Sequence, residues 1–263
     1  MLLAIDVGNT NIVLGVFEGD VLTRSWRLAT YRERTADELG MMVTNLFGHA
    51  GLEPRQIDGI ILASVVPPLT GMMCDMAVRY FGHEPLNVGG DTTTGMPVRY
   101  EPATDVGADR IVNGVAAYER YGRAGHVPVI VVDFGTATTF DAISRDGEYL
   151  GGVICPGIQI SADALFQRAA RLPRVDVRKP ASVIGRTTVG SMQAGLFFGY
   201  VDMVDGLVRR MRQELADRSG GARALCVATG GMAGVLASET SVIEEVQTDL
   251  TLIGLKLIWE RNR

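Results

Sequence analysis

Two short stretches, set about half the chain apart, repeat one plan and limit what this sequence can fold into. In the first, Leu3-Ala4-Ile5 rises to a single carboxylate, breaks at Asp6-Val7-Gly8-Asn9-Thr10, and after Asn11 turns apolar again from Ile12 through Phe17. That pattern predicts a strand, a tight polar turn and a second strand, closed at Glu18-Gly19-Asp20. Gly8 allows a backbone conformation and a close approach that a β-carbon would forbid. The oxygens and amides of Asp6, Asn9, Thr10 and Asn11 crowd around this turn, and such a loop can hold a phosphate and its metal ion. The second stretch, Val129 to Asp141, repeats the order: apolar strand, Asp133, one residue, Gly135, a hydroxyl-rich turn through Thr136, then a strand. Both run on to a Gly-bearing turn, the later one at Arg145-Asp146-Gly147. An echo at half-chain spacing predicts duplicated α/β domains, each giving one phosphate-binding hairpin. A single such hairpin would be read as ordinary turn chemistry; the pair is what argues for a ligand.

Composition narrows the classes. With 263 residues, 47% of them hydrophobic and 21% charged, the chain can bury one large core or two small ones. A net charge of −5 gives no electrostatic footprint for nucleic acid or an anionic membrane. No apolar run reaches the ~20 residues of a membrane helix, and Met1-Leu2-Leu3-Ala4-Ile5 reads as a strand and not as a signal peptide. Cys74, Cys155 and Cys226 are odd in number and widely spaced, which suits small core residues in a reducing cytoplasm. His49, His83 and His126 lack ligand spacing and read as surface residues.

Between the hairpins, Thr35-Ala36-Asp37-Glu38 is a capping box, followed by Leu39, Met42, Val43, Leu46 and Phe47 at helical spacing. Ile57–Val66 predicts a buried strand, Leu69–Tyr80 a helix and Glu84–Val88 a short strand, so strands alternate with helices. Gly95–Asp105 is a loop, and Val106-Gly107-Ala108-Asp109-Arg110 opens a helix with Ile111, Val112, Val115 and Ala116 inward. Tyr121–Pro128 reads as a hinge, dividing the chain into lobes 1–120 and 121–263. In the second lobe, Arg168, Arg171, Arg174, Arg178, Lys179 and Arg186 could meet an anionic ligand, but read first as a solvated basic face. Ser191–Leu215 predicts a long helix carrying Gly195, Gly199 and Gly206. Each glycine costs a helix about 1 kcal/mol relative to Ala, so three together imply a closely approaching backbone, in the same subunit or in another. Leu225–Met232 is a strand running into the Gly230-Gly231 turn, where a base or ribose could lie. Leu250–Trp259 forms a last helix, packed back across the hinge.

Two Asp-x-Gly turns and one Thr-Gly-Gly turn fit a nucleoside triphosphate, with phosphates between the hairpins and adenosine at Gly230-Gly231. Neither GxxxxGK[S/T] nor a GxGxxG after the first strand occurs, which argues against a P-loop enzyme and a dinucleotide oxidoreductase.

These paired hairpins with a later Gly-Gly turn resemble the superfamily of actin, sugar kinases and heat-shock ATPases. Within it, the chain is similar to type III pantothenate kinases. The matching segments are Asp6–Asn11, Gly107-Ala108-Asp109-Arg110, Asp133–Thr138, Gly152–Gly157, Ala169–Pro173 and Asp249–Leu255. The resemblance implies duplicated ribonuclease H-like (actin-like ATPase) domains, each a mixed sheet flanked by helices. It implies a cytoplasmic transferase that phosphorylates pantothenate with ATP in the first step of coenzyme A biosynthesis. It also implies Mg²⁺, a monovalent cation (K⁺ or NH₄⁺), and a homodimer with the pantothenate pocket at the subunit boundary. Carried over by motif, Asp6, Val7, Gly8, Asn9, Thr10 and Asn11 hold the ATP phosphates, Asp6 lies near Mg²⁺, and Thr136 touches ATP. Asp109 is the base facing the substrate hydroxyl. Tyr100, Gly107, Ala108, Arg110 and Thr188 line the pantothenate site, and Asp133 binds the monovalent cation. The chain departs from the family pattern at Thr187, where Asn is usual. Rival readings are another small-molecule kinase or a phosphatase of the superfamily, and a non-catalytic regulatory relative.

For Asp109 the sequence gives a further expectation. A carboxylate at a helix start should have its pKa lowered by the helix dipole, leaving it a weak base that accepts a proton late in the reaction. The competing role is a helix cap, which Asn would preserve.

Overall fold

The computed structural model describes residues 1–263. In the first half, β1 (Leu2–Val7), β2 (Asn11–Glu18) and β3 (Val21–Ala29) form an antiparallel meander. The chain continues through α1 (Ala36–His49), β4 (Gly59–Ser64), α2 (Pro67–Phe81) and β5 (Leu86–Asn87). The strands lie in the order β3-β2-β1-β4-β5, with β4 parallel to both β1 and β5. α3 (Ala108–Ala117) follows and runs into a π-helical turn, Tyr118–Gly122.

The second half repeats this. β6 (Val129–Phe134), β7 (Ala137–Ile143) and β8 (Tyr149–Pro156) form a meander, followed by α4 (Ile158–Arg168), α5 (Thr188–Arg218), β9 (Leu225–Gly230), α6 (Ala233–Ala237), β10 (Glu245–Val246) and α7 (Leu250–Arg261). Its sheet has the order β10-β9-β6-β7-β8, which is the first sheet's order with each strand five places later. Asp6 and Asp133 are each the fifth residue of their strand, and β1 and β6 share one burial pattern along their length. The duplication read from two loops is therefore a duplication of whole sheets.

By contacts, one compact unit comprises Met1–Pro97, Glu101–Ala116 and Leu250–Arg263; the other comprises Val98–Tyr100 and Ala117–Asp249. In the first unit, the inward faces of β1, β2 and β4 meet α1 and α2. Leu3, Ile5, Leu14, Leu39, Val43, Phe47, Ile60 and Met73 are buried there. Phe47 stacks on Trp26 at 5.5 Å and meets Phe81 edge-on at 5.3 Å. Each such side chain contributes roughly 1.5–3 kcal/mol by leaving water. Thr35 caps α1 as expected: its hydroxyl accepts from Glu38 N at 3.2 Å, while the Glu38 carboxylate accepts from Thr35 N at 2.8 Å. In the second unit, Ile130, Val132, Phe140, Phe197, Val204, Val208 and Cys226 form the core beneath α5.

Several elements depart from expectation. β3 is absent from the sequence reading, which stops at the Glu18–Asp20 turn. As an edge strand it mixes exposed Arg24 and Arg27 with the half-buried Trp26 and Leu28, so it lacks a long apolar run. α5 begins at Thr188 and ends at Arg218, three residues beyond each expected end, because Thr187 supplies an N-cap, its hydroxyl accepting from Gly190 N at 3.1 Å. Of the cysteines, Cys226 is buried whereas Cys74 and Cys155 are half-buried.

Candidate active site

The first unit gathers two groups of site residues at one end of its sheet. Asp6 and Val7 end β1, and Gly8 N donates to Asn11 O at 2.9 Å, closing the turn that leaves Asn9 and Thr10 exposed at its tip. Thr30, the residue after β3, straps this turn: its hydroxyl donates to Gly8 O at 2.8 Å and its amide to Thr10 O at 2.9 Å. Sequence reasoning missed Thr30, since only the pairing of β3 with β2 brings it to the loop. Beside β1, Val65 N donates to Val7 O at 3.0 Å. Val65 in turn lies against Gly107, 3.4 Å from where a β-carbon on that glycine would stand. The Asp6 turn and the Gly107–Arg110 segment thus meet through Val65.

At Gly107 a β-carbon would also stand 2.6 Å from Asp109 Oδ1, so the glycine makes room for the carboxylate of the residue two further on. That oxygen accepts from the amide of Arg110 at 2.8 Å, inside the first turn of α3. Ala108 and Arg110 flank it in the same turn. Burial raises the Asp109 pKa above the ordinary carboxylate value; the Arg110 amide and guanidinium oppose this and do not overcome it. The helix-dipole expectation therefore had the wrong sign. Desolvation comes from tertiary packing, which the position of a residue in a helix does not reveal.

In the second unit, Gly135 N donates to Ala137 O at 3.1 Å and Gly157 N to Thr136 O at 3.1 Å, with Gly135 and Thr136 exposed. Two further glycines press on this turn. A β-carbon on Gly157 would overlap Thr136 O, and one on Gly230 would come within 2.6 Å of Asp133 Oδ1. Gly230 has φ +92°, a conformation that side chains resist, and it pairs with Phe134 in the parallel ladder of β6 and β9. The Asp133 turn and the Gly230-Gly231 turn are thus adjacent, leaving bare backbone where a ligand could lie.

Tyr100 lies in the same unit with its ring edge 3.4 Å from where a β-carbon on Gly151 would stand, and the neighbouring Arg99 pairs with Glu148 at 2.6 Å. Thr188 is exposed in the first turn of α5. Tyr100, Asp133, Thr136 and Thr188 all belong to the second unit, and Asp6–Asn11 and Gly107–Arg110 to the first.

No cluster of three or more His, Cys, Asp or Glu side chains is arranged to hold a metal ion. Mg²⁺ commonly uses one or two carboxylates together with substrate phosphates, a requirement that the single carboxylate of Asp6 at its turn is enough to meet. No helix is long and apolar enough to cross a membrane.

Two mixed sheets of the same order, each opening into an Asp-x-Gly hairpin and flanked by helices, define an actin-like ATPase fold of the kind found in sugar kinases. Two solved structures agree in fold. A Campylobacter jejuni protein assigned to the Baf family of transcriptional activators aligns with TM-score 0.62 at 20% identity, over 99% of this chain and 98% of its own. A Sinorhizobium meliloti protein designated a 2-dehydro-3-deoxygalactonokinase aligns with TM-score 0.57 at 12% identity, over 99% and 96%. Sequence narrows the class further. The type III pantothenate kinase family profile matches residues 2–210. Type III pantothenate kinases of Moorella thermoacetica and Geobacter sulfurreducens are 53% and 52% identical, each over the full length of both chains. That of Myxococcus xanthus is 55% identical over 100% of this chain and 99% of its own. The chain belongs to the type III pantothenate kinase family.

Proposed function

We propose that this chain transfers the γ-phosphoryl group of ATP to the terminal hydroxyl of pantothenate, giving 4'-phosphopantothenate, the first step of coenzyme A biosynthesis, with Asp109 facing the acceptor. The observation that carries the residue assignment is the Gly107–Asp109 arrangement. A carboxylate is held in a tight turn at a helix start, beside the strand end that bears Asp6, and its proton affinity is raised by burial. A phosphoryl transition state is loose, so the protein mainly positions reactants and spreads charge. The backbone of Gly8 to Asn11 and the side chain of Thr10 would cradle the phosphates, and Asp6 would hold the Mg²⁺ that neutralises their charge. Thr136 and the bare turn at Gly230-Gly231 would meet the nucleotide. Asp109 would orient the hydroxyl and take its proton as the P–O bond forms, and its raised pKa makes it a better acceptor than a free carboxylate.

For the pantothenate site we assign Tyr100, Gly107, Ala108, Arg110 and Thr188, and for the monovalent cation Asp133. Thr187 replaces the family's usual Asn, yet caps α5 as an Asn would, so the replacement leaves Thr188 at its place in the first turn. A homodimer is supported by α5: beyond their chain neighbours and the helix's own backbone, Gly195, Gly199 and Gly206 have no atom of this chain within 4 Å of where their β-carbons would lie, and Gly195 and Gly199 are exposed. Packing within the subunit therefore does not account for the glycines, and a partner's backbone would. Three free thiols and dependence on ATP and Mg²⁺ suit the cytoplasm.

The test is purified protein with Mg-ATP and pantothenate in K⁺, NH₄⁺ or Na⁺, with phosphopantothenate detected by mass. The proposal expects product in K⁺ or NH₄⁺ and little in Na⁺. Absence of product under all three conditions, with ATP still bound, would overturn it.

A further inference from the structure

The segment Asp249–Leu255 has no part in the chemistry described so far. In the fold it opens α7, which packs within the first unit against two elements that carry site residues. On one side, Leu252 fills the space over Gly15, standing 2.7 Å from where a β-carbon on that glycine would lie; Gly15 is on β2, paired with Ala4 of the Asp6 strand. On the other side, Gly254 lies flat against α3, where any β-carbon would overlap the carbonyl oxygen of Val112. That closeness lets the Thr251 hydroxyl donate to Oδ1 of Asn113 at 2.8 Å, and Asn113 is only 1% exposed.

Val112 and Asn113 follow Asp109 by three and four residues, so α7 grips α3 one turn behind the carboxylate. At 1.5 Å per residue, that is about 6 Å along a stiff rod, too short for a shift at Asn113 to be absorbed before Asp109. The Gly254 contact sets how near the two helices lie. The Thr251–Asn113 bond sets the rotation and axial register of α3. Because α7 also rests on β2 beside the Asp6 strand, it supports both carboxylates.

We infer that Thr251, seated by Gly254, is a positioning residue for phosphoryl transfer, fixing the Asp109 carboxylate relative to the Asp6 turn through its bond to Asn113. This rests on the assignment of Asp109 as the group facing the acceptor hydroxyl. Small misplacements of a reacting group can cost about 10²-fold in rate. Losing the hydroxyl should therefore lower kcat and leave nucleotide binding largely intact.

The experiment compares Thr251→Val, nearly the same shape without the donor, with Thr251→Ser, which keeps it. Both are measured alone and combined with Asp109→Asn. Rates are normalised to nucleotide-binding sites titrated with an ATP analogue, so loss of folded protein does not count as loss of kcat. The expected result is a kcat about tenfold or more below wild type for Thr251→Val, with KM for ATP within about twofold. Thr251→Ser should be near wild type, and Thr251→Val should cause no further loss in the Asp109→Asn background. An unchanged kcat per site in Thr251→Val, or an equal loss with and without Asp109, overturns the inference. If Thr251→Val does not accumulate, Thr251→Cys, of similar volume and with only a weak donor, carries the same comparison. Retained turnover in Asp109→Asn alone would instead count against the Asp109 assignment, so the two failures are distinct.

Discussion

Gly230 and Asp133 are in contact across the ladder of β6 and β9: a β-carbon on Gly230 would stand 2.6 Å from the Asp133 carboxylate and 2.6 Å from Phe134 O. With φ at +92°, the position suits glycine on conformational grounds as well. Gly230→Ala should therefore push the Asp133 turn aside. Strain of this kind costs about 1–3 kcal/mol. The expected outcome is a thermal midpoint several degrees lower and a KM for ATP raised several-fold, read by calorimetry and steady-state kinetics. A variant with wild-type midpoint and KM would mean that the turn yields freely.

Asp109→Asn separates a base from a cap. As a base, its loss should reduce kcat by about 10²–10⁴-fold with the fold intact. The stability effect has the opposite sign. Because the folded-state pKa is raised by burial, the native state binds the proton more tightly than the unfolded chain. Stability then falls as pH rises from the ordinary carboxylate value through the raised one, and the cost persists above it. Asn carries no charge to desolvate, so the variant should melt higher than wild type at pH 7, with the gain vanishing below the ordinary carboxylate pKa. Melting curves across pH check this directly.

The same shift bears on rate. The acidic limb of kcat in the wild type should lie above the ordinary carboxylate range, since protonated Asp109 cannot accept the hydroxyl proton. A limb at or below the free-Asp value would contradict the burial seen at this site.

Thr30 straps the Asp6 turn through its hydroxyl on Gly8 O. Thr30→Val keeps the shape and removes the donor, a loss of roughly 1 kcal/mol for a neutral hydrogen bond. KM for ATP should rise about fivefold with pantothenate KM unchanged. Equal changes in both would point to general loosening of the unit.

Thr187→Asn replaces one good N-cap residue by another, at a position where the threonine hydroxyl caps α5. Since Asn caps at least as well as Thr, stability and activity should be kept, whereas Thr187→Ala should cost about 1 kcal/mol in urea unfolding. A loss of activity in Thr187→Asn would assign the threonine a role beyond capping.

The sequence made some of this legible and hid the rest for identifiable reasons. The hairpins around Asp6 and Asp133 were readable because alternation, a carboxylate and a glycine coincide in both halves. The α1 cap at Thr35 and Glu38 was readable because a capping box is local. β3 was not, because its partly exposed residues make no apolar run. β10, only Glu245–Val246, was too short to be seen. The first turn of α5 is hidden in the sequence because Thr188-Val189-Gly190 are poor helix formers that only the Thr187 cap carries into the helix. The roles of Thr30 and Thr251 depend on partners 22 and 138 residues away, and no local pattern records those contacts. The sign of the Asp109 shift was lost for the same reason.

Whether Asp109 serves a kinase acting on pantothenate is decided by following ADP and phosphopantothenate together in wild type and Asp109→Asn. The prediction is ADP release that requires pantothenate, matches product one for one, and falls at least about a hundredfold in the variant while ATP binding persists. ADP formed equally without pantothenate, or full turnover by a folded Asp109→Asn enzyme, would contradict it.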